Sequence, residues 1–144
     1  MLLTGLPVQA DSFKGCYGAK YTYMETLEIA EGHSLTIYRA FGTGYVLEDP
    51  KSPFNGLSGP CIGAVEIKDG AMINQLGKCI RTDKDGDKVL IMGGATSDNL
   101  TTGTFSFEGL TGKFVGVKGS GTWRDMANDA EYYHTCFEAN YTRQ

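Results

Sequence analysis

The run from Tyr17 to Ala30 alternates, with Tyr21, Tyr23, Glu25, Leu27 and Ile29 on one face and Lys20, Thr22, Met24, Thr26 and Glu28 on the other. If the first set faces an apolar interior, burial favours the neutral form of Glu25 unless a cation such as Arg39 pairs with it. A carboxyl group held that way can serve as a general acid or base, with tyrosines orienting a substrate oxygen. The expected catalytic set is therefore Glu25, Tyr23 and Arg39. Tyr21, Phe41 and Trp123 are the expected walls of an apolar binding site, the sole tryptophan offering a stacking surface if it points inward. The competing arrangement places Glu25 and Arg39 on the outer face as a cross-strand ion pair.

The other reactive residues do not assemble into a catalytic spacing. His134 and Glu138 share a strand face but lie roughly 13 Å apart by strand rise, too far to share a proton. His33, in Glu31-Gly32-His33, reads as an exposed turn residue. With two histidines and no C-x-x-C pair, no metal centre is expected. Gly112-Lys113 is followed by Phe114 where a P-loop needs Ser or Thr, and Gly116, Gly119 and Gly121 run in the reverse order of the dinucleotide fingerprint, so no nucleotide cofactor is expected. In Asp83-Lys84-Asp85-Gly86-Asp87 the glycine comes too early for an EF-hand loop, and Asp-Gly is ordinary hairpin chemistry. Gly119-Ser120-Gly121 lacks the nucleophile-elbow spacing.

The elements that must position these residues are strands. Between Gly103 and Trp123, Phe105 and Phe107 share one face, the chain turns at Gly109-Leu110-Thr111-Gly112, and Val117, Gly119, Gly121 and Trp123 share a face on the return. Glycines beside one large aromatic suit a curved sheet. Further strands are expected over Tyr17–Ala30, Ser34–Leu47, Cys61–Ile67, Met72–Thr82, Lys88–Ala95 and Glu131–Thr142. On the last of these, Tyr133, Thr135, Phe137, Ala139 and Tyr141 oppose the more polar Tyr132, His134, Cys136, Glu138 and Asn140. Glu48–Pro60, with three of the four prolines, is the one long loop and a candidate contact surface. About eight sequentially paired strands would leave two open edges, which closure into an antiparallel up-and-down barrel removes. An open β-sandwich is the alternative.

Four cysteines permit three pairings. Cys61 with Cys79 joins successive strands, and Cys16 with Cys136 ties the two ends, both natural in a closed barrel. Four reduced thiols in a cytosolic protein is the alternative. The uncharged start MLLTGLPVQA, ending in the small-residue pattern Val8-Gln9-Ala10, reads as the tail of a secretory leader over residues 1–10, with a single barrel domain over residues 11–144 and a periplasmic or secreted location. An ordinary N-terminal strand is the other reading of that segment. A net charge of −4 with interspersed signs gives no basic face for nucleic acid, and no segment reaches the length of a membrane-spanning helix.

The segment GTFSFEGLTGKFVGVKGSGTW, with Gly77-Lys78-Cys79 and Asp83 to Asp87 before it, resembles secreted bacterial members of the allene oxide cyclase-like barrel group, related in architecture to plant allene oxide cyclases and dirigent proteins. The resemblance covers about residues 59–124. It implies a barrel that holds a hydrophobic small molecule and steers its cyclisation or coupling by confinement. None of the plant enzymes' catalytic positions carries over. The expected function is a metal-free isomerase, cyclase or lyase acting on a small apolar molecule. A lipocalin-like carrier and a packed barrel with an interaction role are the alternatives, and a homo-oligomer is left open.

Overall fold

The computed structural model describes residues 10–96 and 100–144. Nine strands follow in order: β1 Ala10–Ala30, β2 His33–Gly42, β3 Val46–Leu47, β4 Gly59–Lys68, β5 Ala71–Thr82, β6 Lys88–Ala95, β7 Thr102–Gly109, β8 Val117–Asn128 and β9 Tyr132–Arg143. Eight of them form an antiparallel ring, with β3 a short addition to β1. Closure depends on the length of β1. Its first half pairs with β9 from Ala10↔Thr142 to Lys20↔Tyr132, and its second half pairs with β2 from Ala19↔Gly42 to Ala30↔His33. Among the described residues no sheet edge remains along the ring. This strand begins earlier than its alternation indicates, at Ala10 rather than Tyr17, because β9 supplies a partner for the extra residues. The leader assigned to residues 1–10 lies outside the described residues except for Ala10.

Both expected disulfides are present, Cys16–Cys136 and Cys61–Cys79, each between residues directly opposite in register. They lie on opposite sides of the wall. Cys61 and Cys79 line the interior, whereas Cys16 and Cys136 alternate with the inward-pointing Tyr17 and Phe137 and face outward.

The glycine-rich hairpin is explained by what lies across from it. Phe105 pairs with Gly121, and a Cβ on Gly121 would come within 2.7 Å of the Phe105 ring; Gly119 yields the same space to Phe107. The glycines therefore seat large rings on the inner face. The connection is longer than a tight turn, with a short 3₁₀ segment over Gly112–Phe114 that buries Phe114.

One end of the barrel is packed solid by Phe13, Phe107, Val89, Val117 and Phe114 together with Phe54 and Leu57. The last two come from the long loop. Its backbone is tied to the chain around β3 by hydrogen bonds from Gly56 N–H to Tyr45 O (2.8 Å) and from Tyr45 N–H to Leu57 O (3.0 Å). The segment expected to offer a contact surface thus turns its two large apolar side chains into the base of the barrel. His33 also departs from expectation: it opens β2 partly buried and meets Glu66 at 2.7 Å.

Candidate functional site

Above the packed base the interior opens into a cavity of about 200 Å³. Five of the chain's eight tyrosines, Tyr17, Tyr21, Tyr38, Tyr45 and Tyr133, line it with Ile91, Phe105, Trp123 and Phe137. The wall is thus mainly aromatic, with polar groups at a few fixed points, as small-molecule sites generally are. Burial pushes the Tyr38 hydroxyl up to about 12 despite a hydrogen bond from Gln75, so this phenol stays neutral near pH 7.

Among the described residues, two charged side chains face this interior. Asp125 follows Trp123 on the inward face of β8. Its carboxylate accepts hydrogen bonds from the Thr135 hydroxyl (2.5 Å) and from the Asn128 amide (3.1 Å), and Tyr21 in turn donates to Asn128 Oδ1 (3.3 Å). Burial raises its pKa, and the Thr135 and Asn128 donors offset only part of that rise. The folded chain therefore holds this proton more tightly than the unfolded chain. The resulting stability is complete below the ordinary aspartate value of 3.8 and is lost as pH rises through the folded value. Asp125→Asn lacks this loss, so its stability relative to wild type should climb across that window and level off above it. Urea unfolding at steps from about pH 3 to pH 7 measures the difference, and parallel profiles would assign the titration elsewhere.

Arg81, on β5, is the second charge. It is fully buried, its Nη1 donates to the Gly59 carbonyl (2.8 Å), and its guanidinium lies over the rings of Tyr17 (4.7 Å) and Tyr45 (5.4 Å). Burial opposes its charge, but the phenol oxygens of Tyr45, Tyr17 and Tyr133 outweigh that opposition and raise its pKa.

No family model and no curated protein matches the sequence. Solved structures do match. The pterocarpan synthase dirigent protein GePTS1 superposes with a TM-score of 0.57 at 10% identity, covering 97% of this chain and 89% of that chain. The pterocarpan synthase dirigent protein PsPTS1 superposes with a TM-score of 0.56 at 12% identity, covering 94% and 96%. The fold is shared with dirigent proteins. At these identities the likeness establishes architecture alone.

Within that dirigent-type barrel the expected site residues divide. Tyr21 and Trp123 line the cavity. Tyr23, Glu25, Arg39 and Phe41 do not. A β-bulge between Tyr21 and Tyr23 adds one residue against β2, so alternation restarts with Met24 inward and Tyr23 and Glu25 outward. On that outer face the Tyr23 hydroxyl donates to Glu25, Tyr23 sits opposite Arg39, and Phe41 is 51% exposed. The expected catalytic trio is thus brought together, but outside the barrel. Cys16, His134 and Cys136 bring their ligand atoms within 4.8 Å of one another, yet both sulfurs are joined to each other, which leaves His134 the only free donor of the three.

Asp125 and Arg81 were not singled out by the sequence, although alternation pointed to both. Asp125 is two places beyond Trp123, and Arg81 is two places beyond Cys79.

Proposed function

We propose that this chain is an exported member of the allene oxide cyclase-like barrels that encloses one small, largely apolar molecule and rearranges it without a metal, as an isomerase or cyclase. Asp125 carries this reading: it is a carboxyl group held in an aromatic cavity with its proton affinity raised. Protonated, it can give its proton to a substrate oxygen and later recover one from carbon, which leaves the composition unchanged, as isomerisation requires. The aromatic walls contribute by holding a flexible substrate in one conformation. The likeness to dirigent barrels supports the interior as the place where a small molecule is handled. A cavity of about 200 Å³ counts against a fully packed barrel whose only role is contact with a partner. Two disulfides favour an oxidising compartment, hence a periplasmic or secreted protein.

Native mass spectrometry of protein isolated from the periplasm tests the reading. The chain should weigh four hydrogens less than its reduced form, reflecting the two disulfides, and should carry a bound compound. Asp125→Asn should retain an isomer of that compound, of equal mass but different chromatographic retention. The same compound in both proteins would make this barrel a carrier of the lipocalin kind. An empty barrel in both would overturn ligand binding itself.

A further inference from the structure

Arg81 is the charged group that the acid–base reading leaves unused. It sits at the deep end of the cavity, where Tyr45 and Phe137 belong both to the cavity wall and to the packed base. Of its three nitrogens only Nη1 has a hydrogen-bond partner, the Gly59 carbonyl, while Nε and Nη2 are buried with none. Those two nitrogens form one edge of the guanidinium, with parallel N–H bonds matched to the two oxygens of a carboxylate. Among the described residues no carboxylate pairs with Arg81.

A guanidinium does not lose its proton in a protein, and a buried charge without a counter-charge is costly. The Tyr45 and Tyr133 phenols favour that charge through their oxygens, but burial holds both hydroxyls far above their ordinary range, so they stay neutral and offer a dipole where a counter-charge is wanted. The backbone also makes room for this cation: a Cβ on Gly42 would overlap the Arg81 guanidinium. The fold thus accommodates a buried positive charge whose carboxylate-binding edge is empty.

We infer that Arg81 is an anion receptor and that the ligand of this cavity is a carboxylate carried by a single aromatic ring on a short tail. The inference rests on the cavity being a ligand site, as proposed above, and names the chemical class it takes. A dry cavity of about 150 Å³ holds benzene. The 200 Å³ available here adds space for a short chain and its carboxylate, and Phe105, Trp123 and Ile91 offer a ring its apolar contacts.

A matched pair of probes tests this, 3-phenylpropanoate and 3-phenylpropan-1-ol, which differ in the carboxylate alone. Titrations followed by nuclear magnetic resonance on the disulfide-bonded protein should show the acid binding about 10- to 100-fold more tightly, the range for a hydrogen-bonded charge pair. The Arg81 Nε–H resonance should move with the acid and not with the alcohol. Arg81→Lys keeps a charge but loses the fork, and most of the preference should go with it. Equal binding of the two probes, a wild-type Arg81 resonance that the acid does not move, or a preference that survives in full in Arg81→Lys overturns the inference and leaves the cavity a ligand site. Binding of neither probe overturns the cavity reading and the inference together. The wild-type comparison is decisive even if the variant does not fold.

Discussion

Phe54→Ala is expected to remove about 3–5 kcal/mol of stability, a large share of the total for a domain of this size. Phe54 is 1% exposed, although it belongs to a loop whose prolines, glycines and asparagine suggest an exposed connection. Its ring stacks on Phe13 at 4.4 Å and meets Tyr141 at 4.9 Å, Phe114 at 5.3 Å and Phe107 at 5.6 Å. Truncation leaves a void among four rings held by four different parts of the chain, which cannot collapse together to fill it. Urea unfolding with both disulfides intact should show the midpoint falling at an unchanged slope. Leu110→Ala, in the exposed part of the β7–β8 connection, should stay within about 0.5 kcal/mol of wild type and serves as the control. A loss below about 1 kcal/mol for Phe54→Ala would mean that the loop is a surface connection after all.

The second large effect concerns the two disulfides, which should contribute unequally. Cys16 and Cys136 are 120 residues apart in sequence, and Cys61 and Cys79 are 18 apart. In the chain-entropy account the longer loop is worth about 5 kcal/mol and the shorter about 3 kcal/mol. The double variant Cys16→Ser with Cys136→Ser should therefore be the less stable of the two pairwise removals, by about 2 kcal/mol at a common temperature. Equal losses, or the reverse order, would show that packing at the two positions outweighs the constraint on the unfolded chain. The β1–β9 ladder, which extends from Ala10 to Lys20, should keep the ring closed without its covalent tie.

Strand alternation and residue chemistry made much of this architecture legible. The hairpin from Gly103 to Trp123 and the set Tyr133, Thr135, Phe137, Ala139 and Tyr141 follow from side chains that alternate without interruption, and both cysteine pairings from the order of the strands that carry them. The site was less legible, for three separate reasons. At Thr22 a single extra residue reverses the facing of everything after Tyr21, and no local residue type announces such a bulge. Asp125 and Arg81 continue inward-facing series, but a charged residue on a strand is ordinarily taken for surface, and only the closed ring shows that their side of the sheet faces an interior. The loop after Leu47 carries turn-forming residues throughout, and its signal of burial is only the pair Phe54 and Leu57.

The placement of the disulfides on opposite sides of the wall bears on how the protein is made. An oxidising enzyme is far too large to enter a lumen of about 200 Å³. Cys61 and Cys79 therefore have to be joined while the β4–β5 hairpin is still an open ribbon, a local event that can occur early in folding. Cys16 and Cys136 remain within reach on the outside after the ring has formed, and they belong to the first and last strands of the circle. Oxidation thus has a built-in order, the hairpin first and the seam last. Quenching nascent chains with an alkylating reagent would capture intermediates with only the outer pair free; intermediates with only the inner pair free would reverse that order.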